Sequence, residues 1–406
     1  LIEENIISKN TAQEIREYYG PSDKKNKEQN LLLIFSILGA VLIGSGIILL
    51  LAHNWAQLTR LIRTIIIFTG LIGAQSLAAW VLLKRGDSIS WREGSATFLT
   101  FIVGAAIALI GQTYNLPADL NNFLLTWMLL SLPVVYLMEA TIPAVIYLAG
   151  ISWWGMITSS QFSLLIWLLV ALIIPYYIKQ ISMDKSSRKV SILSWALGLT
   201  GFIAISVTLD LYNSKSLLWR LIYLNYFAIL YLLGQELELK TKVFKGAGLL
   251  GTYAMIYQLG SFTKLGYFKG EDLLAGALIV YLLIFSLWVV IAYLLIRNFN
   301  YKKKDRLLIG ISPIVLLIGA LFSEFFAVSL IIYNAYLLLI GLGILLIGLE
   351  IEIMKLANLG VLLIALQIVG RFFLLDISFV WRGIVFLLVG IGFLVANLII
   401  NRQLKE

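Results

Sequence analysis

Apolar runs of roughly 17 to 25 residues, nearly free of charge, recur between residues 31 and 400 and are parted by short polar breaks. As helix, each run is long enough to cross the roughly 30 Å of bilayer hydrocarbon. They lie near 31–52, 64–83, 95–112, 122–138, 141–157, 162–178, 190–208, 217–234, 246–262, 273–296, 307–322, 328–349, 354–375 and 383–400. The spacing predicts an all-α, polytopic bundle of about fourteen transmembrane helices. Its least sharply bounded members are the pair at 122–157, joined by only Glu139-Ala140, and the stretch at 246–262.

Composition agrees. The chain is 60% hydrophobic and 13% charged, whereas soluble domains are about half apolar and a quarter charged. So much apolar surface has to face lipid, and one continuous bundle replaces the usual division into soluble domains. Within it the pattern separates a head at 1–30, a first membrane region at 31–157, the remaining bundle at 158–400 and a tail at 401–406.

Basic residues are retained on the cytoplasmic side of a membrane, so their distribution orients the helices. With the first segment inside, alternate segments hold 23 Lys and Arg on the inner side against 8 on the outer. The outer eight are Arg60, Arg63, Lys215, Arg220, Lys264, Lys269, Arg371 and Arg382. Losing one helix from the count would invert everything downstream, so both termini are expected inside. The polar opening at Leu1 shows no basic stub followed by a short apolar core, and no secretory signal is expected. In the head, Thr11 and Glu14 have capping-box spacing and Gly20-Pro21 is a stop signal, which predicts a cytoplasmic helix at 12–19. Its isoleucines suit docking on the bundle or on a protein partner through residues 1–28.

The net charge of +9 is distributed as punctuation between apolar runs, not as a water-facing patch, so nucleic-acid binding is not expected. Zero cysteines remove disulfides, thiolate metal sites and cysteine nucleophiles. His53 is the only histidine, so no multi-histidine metal centre can be built, and no phosphate-cradling Gly-Lys-Ser/Thr loop is present. The central stretches of the runs lack Asp and Glu. That argues against an intramembrane hydrolase and a proton pump, and for an interior without charge. No cofactor, metal or catalytic residue is assigned. The basic runs Lys185–Lys189 and Lys302–Arg306 are expected to set topology and to touch anionic lipid headgroups.

Several neutral or paired groups remain as candidates for substrate binding. Gln75, Asn225 and Gln367 fall near the middles of their runs and suit either interhelical hydrogen bonds or the lining of a polar cavity. His53, in His53-Asn54-Trp55, closes the first run at the outer interface, either as an anchor or as a pH-sensitive group beside Arg60 and Arg63. Gln112, Tyr114 and Asn115 gather polar groups where the third run meets water, either as a helix cap or as a vestibule. Arg371, Asp376 and Arg382 bracket an outer turn. They form either a self-satisfied surface network or a carboxylate-oriented pair of guanidiniums for a phosphate or carboxylate. Glycines 39, 44, 46, 70, 73, 341, 343, 348, 390 and 392 are expected to let helices approach closely.

The chain resembles the bacterial membrane proteins catalogued as domain-of-unknown-function family 2157. The resemblance is carried by Ile6-Ile7-Ser8 and the helix after it, by Leu51-Ala52-His53-Asn54-Trp55, and by Gly111-Gln112-Thr113-Tyr114 ahead of Trp127 and Pro133. It covers about the first 145 residues. Asn358-Leu359-Gly360, Arg371-Phe372-Phe373 and Arg382-Gly383 through Phe386 and Gly390 are similar to the end of longer members. The resemblance implies a bacterial inner-membrane protein and supplies no catalytic residues. The middle of the chain, about 150–330, shows no motif of this family.

Size and the polar candidates favour a transporter or lipid-translocating protein for an anionic or neutral substrate. The alternative is a non-transporting scaffold or assembly factor that works through the head. A third reading, an intramembrane enzyme on a lipid-linked substrate, would need Asp376, Glu324 or His53.

Overall fold

The computed structural model describes residues 8, 10–11, 55, 57–158, 164–211, 216–237, 242–260, 278–297, 304–322 and 325–374. Thirteen helices and no strand occur among the described residues. In chain order they are α1 Arg60–Lys84, α2 Ile89–Thr113, α3 Leu120–Met138, α4 Thr141–Ile157, α5 Leu165–Met183, α6 Arg188–Leu211 and α7 Ser216–Glu236. They continue as α8 Val243–Leu259, α9 Leu278–Arg297, α10 Lys304–Gly310, α11 Ser312–Leu321, α12 Phe326–Glu350 and α13 Met354–Leu374. Among the described residues seven helices are long and apolar enough to cross a membrane: α1, α2, α3, α5, α6, α7 and α12. The expected runs 31–52 and 383–400 and the helix at 12–19 lie outside the described residues, as do His53, Asp376, Arg382 and Glu324 and the side chain of Arg371.

The two weakest expectations hold as helices. α3 stops at Met138 and α4 starts at Thr141, with Glu139 alone taking the left-handed conformation at φ 49°. The stretch expected at 246–262 is α8, Val243–Leu259. One expectation is corrected: the run at 307–322 is two helices, α10 and α11, separated at Ile311. Pro313 supplies no backbone N–H, so it cannot continue the i→i−4 ladder and instead sits in the first turn of α11. In the head, the Thr11 amide donates to the Ser8 hydroxyl at 3.1 Å. Asn10 and Thr11 are already helical, so Thr11 lies within a helix and not at its cap.

The chain divides into two compact units, Leu1–Gly73 with Ala106–Ala118, and Ala74–Ala105 with Asp119–Glu406. In the first, Trp55, Ile67 and Ala106 form a small buried cluster, and the Arg63 guanidinium lies 5.8 Å from the Trp55 ring.

The second unit holds the large cores. Because lipid tails are as apolar as leucine, helices here are held by close packing and hydrogen bonds more than by a hydrophobic drive. Where α7 meets α8, a Cβ on Gly248 would stand 2.5 Å from the Phe227 carbonyl oxygen and from the Tyr231 nitrogen. Only glycine admits that approach. Gly348, as expected, and Gly360 do the same between α12 and α13, and a Cβ on Gly341 would meet the Ile364 side chain at 2.6 Å. Gly70 and Gly73 have no such neighbour among the described residues.

Contacts across the second unit also group the helix ends. Glu139 pairs with Lys179 at 2.6 Å and with Arg92 at 3.5 Å, and Glu93 pairs with Lys189 at 3.5 Å. These contacts gather three of the segments counted above as inner. At the opposite ends, Asn121 donates to Thr158 and Trp167 to Thr208.

Candidate functional site

α7 runs through the middle of the second unit. Its spanning stretch is 72% buried, against at most 39% for any other candidate span. Its sequence is apolar apart from a few positions, and those positions make the site. Arg220 is buried near its first turn, with its guanidinium 5.4 Å from the Trp219 ring. Asn225, fully buried, donates its Nδ2 to the Leu221 carbonyl at 2.7 Å, while its Oδ1 has no hydrogen-bond partner. The amide cannot be turned over, because that would set two oxygens against each other.

Two further helices add polar groups toward the Arg220 end, where Tyr333 of α12 acts electrostatically on Arg220. Gln367 on α13 donates Nε2 to the Asn334 carbonyl on α12 at 2.8 Å, and its buried Oε1 is also unpartnered. Asn334 donates to the Gly260 carbonyl at the end of α8 at 3.2 Å. Thr252 on α8, completely buried, leaves its hydroxyl without a partner. The antiparallel contact of Gly248 with Phe227 and Tyr231 puts Thr252, one turn along, at the level of Asn225.

The other end of α7 carries a network centred on one carboxylate, with Gln235 Oε1 left without a partner. Asp305, at the start of α10, uses Oδ2 to accept from Tyr231 at 2.6 Å, Gln235 at 2.5 Å and Lys245 at 2.8 Å. Tyr231 and Gln235 are four residues apart, so α7 presents both on one face. The Lys245 ammonium also lies 5.4 Å from the Tyr231 ring, and Arg306 pairs with Glu236. Burial alone would raise the Asp305 carboxyl. The ammonium and the three donors outweigh it, and the carboxyl ends below its ordinary range.

One expectation is corrected here. The interior is not free of charge, since Arg220, Asp305 and Arg306 are all buried. Within the basic runs, Arg306 pairs with Glu236 and Lys189 lies 3.5 Å from Glu93. Sequence reading passed over Asp305, yet a signal exists, a single acid inside Lys302-Lys303-Lys304-Asp305-Arg306 at the start of an apolar run.

Of the candidates read from sequence, the structure brings Asn225 and Gln367 into the core of the second unit, while Gln75 is exposed on α1. In the first unit, Gln112, Tyr114 and Asn115 end α2. Asn115 takes φ 53°, and Leu116 donates to the Gly111 carbonyl at 2.9 Å, which is the closing bond of a Schellman cap. The Tyr114 hydroxyl meets that of Thr64 at 3.0 Å. This geometry accounts for Tyr114 and Asn115 as capping and anchoring groups. Trp127, in the second unit, donates its indole N–H to the Thr100 carbonyl at 2.8 Å and fills the space beside Gly104.

No curated protein and no solved structure matches the chain. Residues 1–144, with the Asn115 cap and the Trp127 contact among them, match the family described as predicted membrane protein, DUF2157; the chain is a membrane protein that carries this family's sequence over those residues.

Proposed function

We propose that the protein translocates a polar or anionic substrate, a solute or a lipid headgroup, along the polar interior of α7, α8, α12 and α13. The observation that carries this reading is that Asn225 Oδ1 and Gln367 Oε1, two of the four buried amide oxygens without a partner among the described residues (Asn121 Oδ1 and Gln235 Oε1 are the others), lie in the core around α7 with no charged group bonded to either amide. An amide that served only to join helices would use both of its ends, because an unpaired buried polar atom costs about 1–3 kcal/mol. Here each amide spends its N–H on a carbonyl and leaves its oxygen for a donor from outside the protein, water or a substrate hydroxyl or amine. The buried Arg220 guanidinium on the same helix supplies the positive charge that an anionic group would use. The Asp305 network then shuts the far end of α7. No catalytic step is part of this reading. It places the protein in the bacterial cytoplasmic membrane with about fourteen spans and both termini inside, as the basic-residue distribution argues.

The absence of native cysteine makes a direct test available. Single variants Asn225→Cys and Gln367→Cys are challenged with a membrane-impermeant methanethiosulfonate, beside Leu339→Cys, a lipid-exposed position, and Ser186→Cys, an exposed turn. Both core thiols should react, at rates well above that of Leu339→Cys. Silence at both core positions, with Ser186→Cys labelled, means a dry core and ends the proposal. Labelling of Ser186→Cys only in inside-out vesicles, and of Ala118→Cys only in right-side-out ones, is the expected orientation.

A further inference from the structure

Away from that path, the ends of α2, α4, α5 and α6 meet in a corner with a different chemistry. The Glu93 carboxylate accepts from the Thr141 amide at 2.8 and 2.9 Å and from the Ile142 amide at 2.9 Å, which caps α4. Glu139 is held by Lys179 at 2.6 Å, and with Arg92 added its carboxyl lies below the ordinary range against the opposing effect of partial burial. Both carboxylates are therefore already committed. Two of the three cations are less so: Arg92 reaches Glu139 only at 3.5 Å, and Lys189 reaches Glu93 at 3.5 Å and the Glu139 carbonyl at 3.4 Å. Three cations against two carboxylates leave the corner net positive.

Inside the corner are donors with nothing to donate to. The Tyr176 and Thr141 hydroxyls, Gln180 Nε2 and Arg92 Nε are all buried without a hydrogen-bond partner. Tyr176, Thr141 and Gln180 are more than nine-tenths buried. Tyr176 and Gln180 are one turn apart on α5, and Arg92, Glu93 and Glu139 all act electrostatically on the Tyr176 hydroxyl, which lies beside that of Thr141 without a well-directed bond between them. Lys179, more than half exposed, stands at the open edge.

We infer that this corner binds a phosphate group, held by Tyr176, Thr141, Gln180 and Arg92 with Lys179 and Lys189 at its rim. Four donors converging from three helices suit a tetrahedral group with three or four acceptor oxygens; a carboxylate offers two. Cations together with neutral donors are the chemistry that holds phosphate oxygens. The corner lies where helices end, at the level of lipid headgroups, so the same chemistry serves an anionic phospholipid or a soluble phosphate.

The test uses the full chain in dodecyl maltoside, a phosphate-free detergent, titrated separately with phosphatidylglycerol, inorganic phosphate and diacylglycerol while the thermal midpoint is followed. Phosphatidylglycerol or inorganic phosphate should raise the midpoint, and diacylglycerol should not. A response to the lipid alone assigns a headgroup, and a response to inorganic phosphate assigns a soluble ligand. Tyr176→Phe and Thr141→Val each remove one hydroxyl with little change of shape, and each should weaken the response by about tenfold, the loss of one hydrogen bond to a charged group. If these donors served no ligand, the same variants would be neutral or stabilising and would respond like the parent. That result, or equal responses to phosphatidylglycerol and diacylglycerol, overturns the assignment.

Discussion

Removing the Asp305 carboxylate tests the closed end of α7 most directly. In Asp305→Ala three donors lose one acceptor. Lys245 keeps 26% of its side chain exposed and can swing its ammonium to water, so its share is discounted. Tyr231 and Gln235 are buried and cannot. Two orphaned neutral donors at roughly 1–3 kcal/mol each, with the discounted ion pair, give a loss of about 3 kcal/mol. Asp305→Asn keeps an acceptor and forfeits only the charge, so about 1–2 kcal/mol is expected. Paired with Lys245→Met, it should show a coupling of about 1 kcal/mol in a double-mutant cycle. The readout is unfolding in mixed micelles by added dodecyl sulfate, followed through the eleven tryptophans. The pH dependence has a definite sign. The Asp305 carboxyl is lowered in the folded protein, so its contribution is present above the unfolded value and is lost as pH falls through the folded one, below about 4. Asp305→Asn should flatten that part of the profile. A cost under about 0.5 kcal/mol for Asp305→Ala, or an unchanged acid limb in Asp305→Asn, would refute the network.

Three further outcomes follow from backbone geometry and packing. Glu352 closes α12 at φ 57°, with Ile353 donating to the Gly348 carbonyl and Glu352 to that of Leu349; Glu352→Gly should stabilise by about 1 kcal/mol in the same micellar unfolding assay. Gly248→Ala should cost about 1–3 kcal/mol, since its methyl would meet the α7 backbone at 2.5 Å. Gly94→Ala on α2, with nothing within 4 Å, should gain about 0.5–1 kcal/mol by removing a helical glycine, and a loss there would reveal a neighbour the packing does not show.

Helices were legible because crossing a bilayer demands long apolar runs, and that demand is local. Thr141–Ile157 matches its helix to the residue, although only two residues part it from α3. What escaped was the use of charge. Lys302-Lys303-Lys304-Asp305-Arg306 has the form of a topology signal, and nothing within five residues says that the acid will meet Tyr231 and Lys245, more than fifty residues away. The break at Ile311 was readable in principle, because Pro313 is in the run; hydropathy averages over it. The midplane amides were found by position, but their roles divide according to which helix is enclosed. Gln75 sits on a helix that shows most of its surface, whereas Asn225 sits on the one that shows least.

That enclosure is the argument for function on α7. On a helix facing lipid, an asparagine at mid-span and a buried arginine near the first turn would cost free energy with no return, so selection would remove them unless protein surrounded them. α7 is so surrounded, and it bears Arg220, Asn225, Tyr231, Gln235 and Glu236 along a single span. Packing alone does not require them. The neighbouring contact of α7 with α8 is already made by Gly234, Gly248 and Gly251, which need no polar partner. The polar groups also differ in what they meet: Tyr231 and Gln235 both donate to Asp305, though Gln235 Oε1 is itself without a partner, while Asn225, with Gln367 and Thr252, keeps a polar atom open away from any carboxylate. A helix latched at one end and unsatisfied at its centre is built to hold something there, and the reactivity of a thiol at position 225 reads that directly.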